Sequence, residues 1–203
     1  MKAVVWLLAS VMVAAASVPA HAEHREITVL APNLPNPGAT LDEVRDIKLD
    51  KGLRLVCESD ADKPRLAEPR LMDSQGGRSN VHIRRCSIFQ AEQGDIWSQA
   101  TIRSVAGPAR IWMIFVQQGG IGRFRLAQFS LWAKTDGWDA TAKVLSDILG
   151  PAAAIDRLLT WQDDQHDVMM FADEKRSDEF AVAVGDSRLR RLMKSPGNTS
   201  RPE

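Results

Sequence analysis

The chain has 203 residues, with 26 Lys and Arg set against 26 Asp and Glu, for a formal net charge of zero. Balanced, interspersed charge excludes a general nucleic-acid binder, which needs a basic face. The local clusters Arg84-Arg85 and Arg188/Arg190/Arg191/Lys194 read as solvated faces or helix ends. The length suits one domain, or two small ones sharing a sheet.

Met1 and Lys2 give a positive start, residues 3–16 are apolar except for Ser10, and Ala20-His21-Ala22 offers a small-x-small cleavage site. This pattern predicts a secretory signal peptide over residues 1–22. Its apolar run is short against the roughly 20 residues that span a bilayer. No second long apolar run follows. The expected mature chain is soluble, lies in the periplasm or is secreted, and makes no stable membrane insertion after cleavage. Loss of Lys2 would leave it with about one net negative charge.

Residues 26–30 (EITVL) read as a short strand and residues 31–40, with three prolines and a glycine, as an extended linker. Residues 23–40 are thus expected as an N-terminal strand and Pro-rich linker. The apolar run of residues 26–31 resembles the energy-coupling box near the N-terminus of outer-membrane transporters. That resemblance implies strand addition to a partner's sheet.

Residues 41–193 are expected to form an α+β domain, with a division into 41–95 and 96–193 as the alternative. Apolar residues Val44, Ile47, Leu49, Leu53 and Leu55 lead through a turn at Asp50-Lys51-Gly52 to a strand or short helix at Cys57. Polar residues 59–77 read as a long loop, and residues 80–89 alternate as a strand. Cys57 and Cys86 are the chain's two cysteines. In an oxidising compartment they predict a disulfide that tethers this loop and stabilises by about 3–4 kcal/mol in the chain-entropy model. The alternative is a metal site from Cys57, His82 and Cys86. Strand spacing spreads these ligands apart, and a fourth is not evident.

Residues 96–105 are a weaker strand candidate, and Gly107-Pro108 marks a turn. Residues 110–117 (RIWMIFVQ) are apolar on both faces, which predicts a central covered strand. Residues 119–122 (GGIG) then turn the chain. They precede a strand, whereas a phosphate loop needs a helix N-terminus. In residues 123–132 the apolar parity switches from Phe124 and Leu126 to Phe129 and Leu131, which predicts a bulge at Ala127-Gln128. A helix is expected over residues 138–149. Asp136 would cap it, and Thr141, Val144, Leu145 and Ile148 form its apolar stripe. Gly150 and Pro151 end it. Three strands follow at residues 157–162, 168–172 and 180–184. A helical turn at 187–194 is expected to face Leu189, Leu192 and Met193 inward, and residues 194–203 to form a disordered tail. The order describes an antiparallel β-sheet with one main helix packed on one face.

The sequence Leu149-Gly150-Pro151, then Trp161, then the apolar strand at 168–171 resembles small periplasmic proteins of the outer-membrane-assembly lipoprotein and β-lactamase-inhibitor-like type. Those join helix, "L-G-x-P" and "W" to a hairpin. Here Pro151 directly follows Gly150, and the lipid-bearing cysteine is missing. The resemblance implies an envelope binding or assembly module and carries over no functional residue.

Catalytic constellations are scarce, so no catalytic residue, metal or cofactor is assigned. Asp60 and Asp62 start like a metal loop but lack its later ligands, and Asp163, Asp164 and Asp167 around His166 lack an ordered calcium pattern. No serine sits in a nucleophile elbow. The candidate binding residues are Trp97, Trp112, Trp132 and Trp138, because aromatic side chains dominate interface energetics. The expected function is an exported soluble envelope protein acting as a non-enzymatic binding or assembly module for an envelope protein or small ligand. The alternative is a periplasmic hydrolase with a site near His82 or His166. Attention falls on the sheet face opposite the helix, at Trp112 and Trp132.

Overall fold

The computed structural model describes residues 30–31, 34–72, 81–118, 122–172 and 178–194. The expected signal peptide, the strand at residues 26–29, the tip of the glycine-rich turn and the tail beyond 194 lie outside the described residues. Among the described residues no helix is long and apolar enough to cross a membrane.

Among the described residues eleven strands form one sheet: β1 (Leu53–Cys57), β2 (Arg65–Leu66), β3 (Val81–Ala91), β4 (Ile96–Gln99), β5 (Thr101–Ser104), β6 (Gly107–Gln118), β7 (Arg125–Lys134), β8 (Ala153–Ile155), β9 (Leu158–Gln162), β10 (His166–Ala172) and β11 (Glu179–Asp186). The order is β2-β4-β3-β6-β7-β11-β10-β9-β8, with β1 also paired to β3 and β5 to β6. Among the described residues three α-helices accompany them: α1 (Leu41–Arg45), α2 (Trp138–Leu149) and α3 (Ser187–Lys194). The expectation of an antiparallel sheet needs one correction. The sheet is mixed, because β2 runs parallel to β4. The sequence hides this pair because β2 is two residues long and falls within the polar stretch read as a loop.

The central hairpin β6–β7 forms as its pattern dictates. Ile111, Met113 and Phe115 face Leu131, Phe129 and Leu126 across the ladder, all buried. The register shifts between Ile114 and Phe115, whose partners are Gln128 and Leu126, so Ala127 is the extra residue of a bulge. That shift moves Leu126 onto the same face as Phe129. The inner face continues through Phe180, Val182 and Val184 of β11, then Val168 and Met170 of β10, to Trp161 of β9. Helix α2 lies over this face with Leu145 and Thr141 buried. Asp136 does not cap it. Asp136 sits in a 3-10 turn at Thr135–Gly137, and Gly137 holds the cap position without a side-chain bond. Gly150 ends the helix at φ 89°, a left-handed conformation open to glycine.

Strand β1 pairs with β3 so that Cys57 stands opposite Cys86, with the Cα atoms 4.0 Å apart. The next pair is hydrogen-bonded, Glu58 N–H donating to the Arg85 carbonyl at 2.9 Å. The cysteines therefore occupy a non-hydrogen-bonded pair, where side chains approach most closely. They form the expected disulfide, which uses both thiols and leaves none for the alternative metal site.

The segment read as a linker packs against the sheet in its described residues. Leu30, Ala31 and Leu34 are buried, and the Val105 N–H donates to the Leu30 carbonyl. Gly38, Ala39 and Leu41 exchange backbone hydrogen bonds with Phe124 and Leu126, extending the ladder beyond the end of β11. The sequence hid this because Leu30 and Ala31 precede Pro32 and Leu34 is set between Pro32 and Pro35, without the strict alternation that marks a strand.

Candidate functional site

The outer face of the sheet, opposite α2, is covered only at two places among the described residues. Over β1 and β3, Leu66 and Met72 cover Val56 and Phe89 in a small second core, with Leu71, Trp97 and Trp112 packed against it. At the other place α3 lies against β6, β7 and β11. Its Arg190 stem rests directly on Gly185, where an added Cβ would come within 2.2 Å of the Arg190 Cδ. Arg190 then pairs with Asp167 at 3.7 Å. Asp186 caps α3 through bonds from the Arg188 and Leu189 amides.

Beside these covers an apolar row runs from β7 to the β8 edge. Register places Trp132 beside Ala181, Ala181 beside Phe171, Phe171 beside Leu158, and Leu158 beside Ile155. Trp132 and Phe171 meet edge to face over Ala181, with centroids 6.1 Å apart, and Ala181 is fully buried beneath them. Trp132, Phe171 and Leu158 are half-buried, while Ile155 is 66% exposed at the free edge. The adjacent row of Trp112, Ser130, Ala183, Met169 and Thr160 is mixed in character. At the opposite end of the first row Arg110 pairs with Glu179 at 2.6 Å, and Lys134 pairs with Asp178 and Glu179. The charges at this end are therefore paired within the fold, and what the row itself presents is aromatic and aliphatic surface.

The four candidate tryptophans do not converge. Trp132 is in the open row. Trp112 is on the same face but packs into the second core, with the Arg85 guanidinium 5.4 Å from its ring centroid. Trp97 borders that core from β4. Trp138 is on the other side of the sheet, stacked edge to face on Phe180 at 5.5 Å. Phe171, Leu158, Met169 and Ile155 were missed by sequence reasoning. Their signal was present in β10, where Met169 and Phe171 alternate with Val168 and Met170 and make both faces apolar.

The two histidines of the hydrolase alternative are not brought together. His82 is on β3 and His166 on β10, four strand spacings apart in the sheet order, or about 19 Å. His166 Nδ1 lies 3.2 Å from Asp163 Oδ2 in the β9–β10 turn. The carboxylates of Asp60 and Asp62 are engaged by Arg45 and Arg54. Among the described residues no group of three or more His, Cys, Asp or Glu side chains could hold a metal ion. Asp163 is held below the ordinary aspartate range. Burial pushes it up, but the amides of Gln165 and His166 and the His166 ring together outweigh that.

No family model, curated protein or solved structure matches the chain.

Proposed function

We propose that this protein is an exported, soluble envelope component that acts as a non-enzymatic binding or assembly module through the outer face of its sheet. The observation that carries this reading is the uncovered row from Trp132 through Phe171 and Leu158 to Ile155. A contiguous apolar strip that the fold leaves open on a face it covers elsewhere has the character of an interaction surface. Export is supported by the N-terminal cleavage pattern, and the Cys57–Cys86 disulfide is compatible with an oxidising compartment. The resemblance to small periplasmic assembly proteins supports the same class of role.

The test is photocrosslinking in cells, with a photoreactive residue at Leu158 or, as a control on α2, at Lys143. A discrete adduct from position 158 that is lost on Trp132→Ala supports the reading. Adducts from 143 alone, or a protein that fractionates to the cytoplasm with residues 1–22 still attached, overturn it.

A further inference from the structure

A separate concave feature lies off the β1 edge, away from the outer-face row. It is a cleft of about 470 Å³ between β1 and the chain that leads into it from α1. Its floor is aliphatic: Ile47, Leu49, Leu53 and Leu55, each partly buried against the main core. Its rim carries two guanidinium–carboxylate pairs, Arg45–Asp60 and Arg54–Asp62.

The walls are held independently of any ligand. A capping box between Thr40 and Glu43 fixes the start of α1. The disulfide fixes the end of β1. Asp60, only 14% exposed, accepts from the Cys57 amide at 2.8 Å and from Arg45 at 2.5 Å, which locks α1 to the end of β1. The second pair differs. Arg54 is 40% exposed and Asp62 77% exposed. A pair so open to solvent is weakly held, so its partners can be exchanged at little cost.

We propose that this cleft binds an α-amino acid with an aliphatic or aromatic side chain. Its carboxylate takes the fork of Arg54, its ammonium group takes Asp62, and its side chain covers the aliphatic floor. The argument is charge complementarity over an apolar surface. The exchangeable pair offers one positive and one negative group side by side, and an α-amino acid head carries the same two charges on neighbouring atoms. Guanidinium–carboxylate pairing is directional and bidentate, so it orients the head. An apolar acid would leave Asp62 facing a like charge, and an apolar amine would do the same to Arg54.

The experiment is a methyl NMR titration of the oxidised full chain with three isosteric probes. These are L-leucine, 4-methylpentanoate, which lacks the ammonium group, and 3-methylbutylamine, which lacks the carboxylate. Leucine should shift the methyls of Ile47, Leu49, Leu53 and Leu55, and each analogue should bind at least about tenfold more weakly, the loss of one charge-assisted contact. Arg54→Gln and Asp62→Asn, each of which removes one charge of this solvated pair, should each weaken leucine binding by a similar factor. Lys143→Gln on α2 should leave it unchanged. Equal binding of all three probes, or no shift at these methyls in a protein with an unchanged melt, overturns the proposal.

Discussion

The indole N–H of Trp161 donates to the carbonyl oxygen of Gly150 at 3.1 Å. Gly150 follows the last turn of α2, where carbonyl groups lose their intrahelical partners. Trp161 is buried in β9, so one side chain both fills the core and satisfies the helix end. Trp161→Phe keeps most of the ring but removes the donor. It should cost about 1–2 kcal/mol, whereas Trp161→Ala should cost about 3–5 kcal/mol through the cavity it leaves. Urea unfolding of the two variants separates these contributions. Equal losses would mean that the ring packing contributes nothing beyond the hydrogen bond.

This contact also shows what the sequence makes legible. The pattern that ends α2 and the apolar strand that follows could be read directly, and so could the bulge at Ala127, because each follows from spacing along a continuous segment. That the indole of Trp161 returns to Gly150 depends on how β9 passes the helix end, which no local pattern specifies. The same limit explains the outer face. Trp112 lies on the outer face by strand register, whereas Trp138 opens α2 on the inner side against Phe180. Only the sheet order reveals that Phe171, Leu158 and Ile155 continue the line begun by Trp132. Strand β2 escaped notice because two residues carry no periodicity.

The Cys57–Cys86 bridge closes a sequence separation of 29 residues. Replacing both cysteines by alanine should lower stability by about 3–4 kcal/mol in the chain-entropy model. Both cysteines are fully buried, so the bridge in the folded protein should resist mild reductant until the domain opens. Thiol labelling with and without denaturant measures this. Rapid labelling under native conditions would show that β1 opens locally.

Acid stability should carry a contribution from Asp163. One carboxylate oxygen accepts the Gln165 and His166 amides at 2.7 and 2.6 Å, and the other faces the His166 ring. Its folded pKa lies below the ordinary 3.8. Stabilisation is therefore full above that unfolded value and is lost as pH falls through the lower folded value. Asp163→Asn should be less stable at neutral pH, and the difference should narrow on acidification below about pH 4. Thermal melts across that range test the sign. A gap that widens on acidification would contradict it.

Two glycines owe their identity to close approach rather than to backbone angle. Gly137 has φ −82°, open to any residue, but a Cβ there would sit 2.4 Å from the Ala106 carbonyl oxygen. That obstacle is backbone, so Gly137→Ala must move the β5–β6 turn away from α2 and should cost about 1–3 kcal/mol. At Gly185 the nearest obstacle is instead the side chain of Arg190. Gly185→Ala should therefore unseat α3 while leaving the sheet intact. Shortening the obstacle, as in Gly185→Ala with Arg190→Ala, should recover much of the loss. The Asp167 pair stays broken in that double variant, so recovery should be incomplete. Hydrogen exchange across residues 187–194, read beside a global melt, distinguishes the two glycines. Gly137→Ala lowers the melt, and Gly185→Ala raises exchange in α3 first. Additive losses from Gly185→Ala and Arg190→Ala would show that the two positions do not compete for the same space.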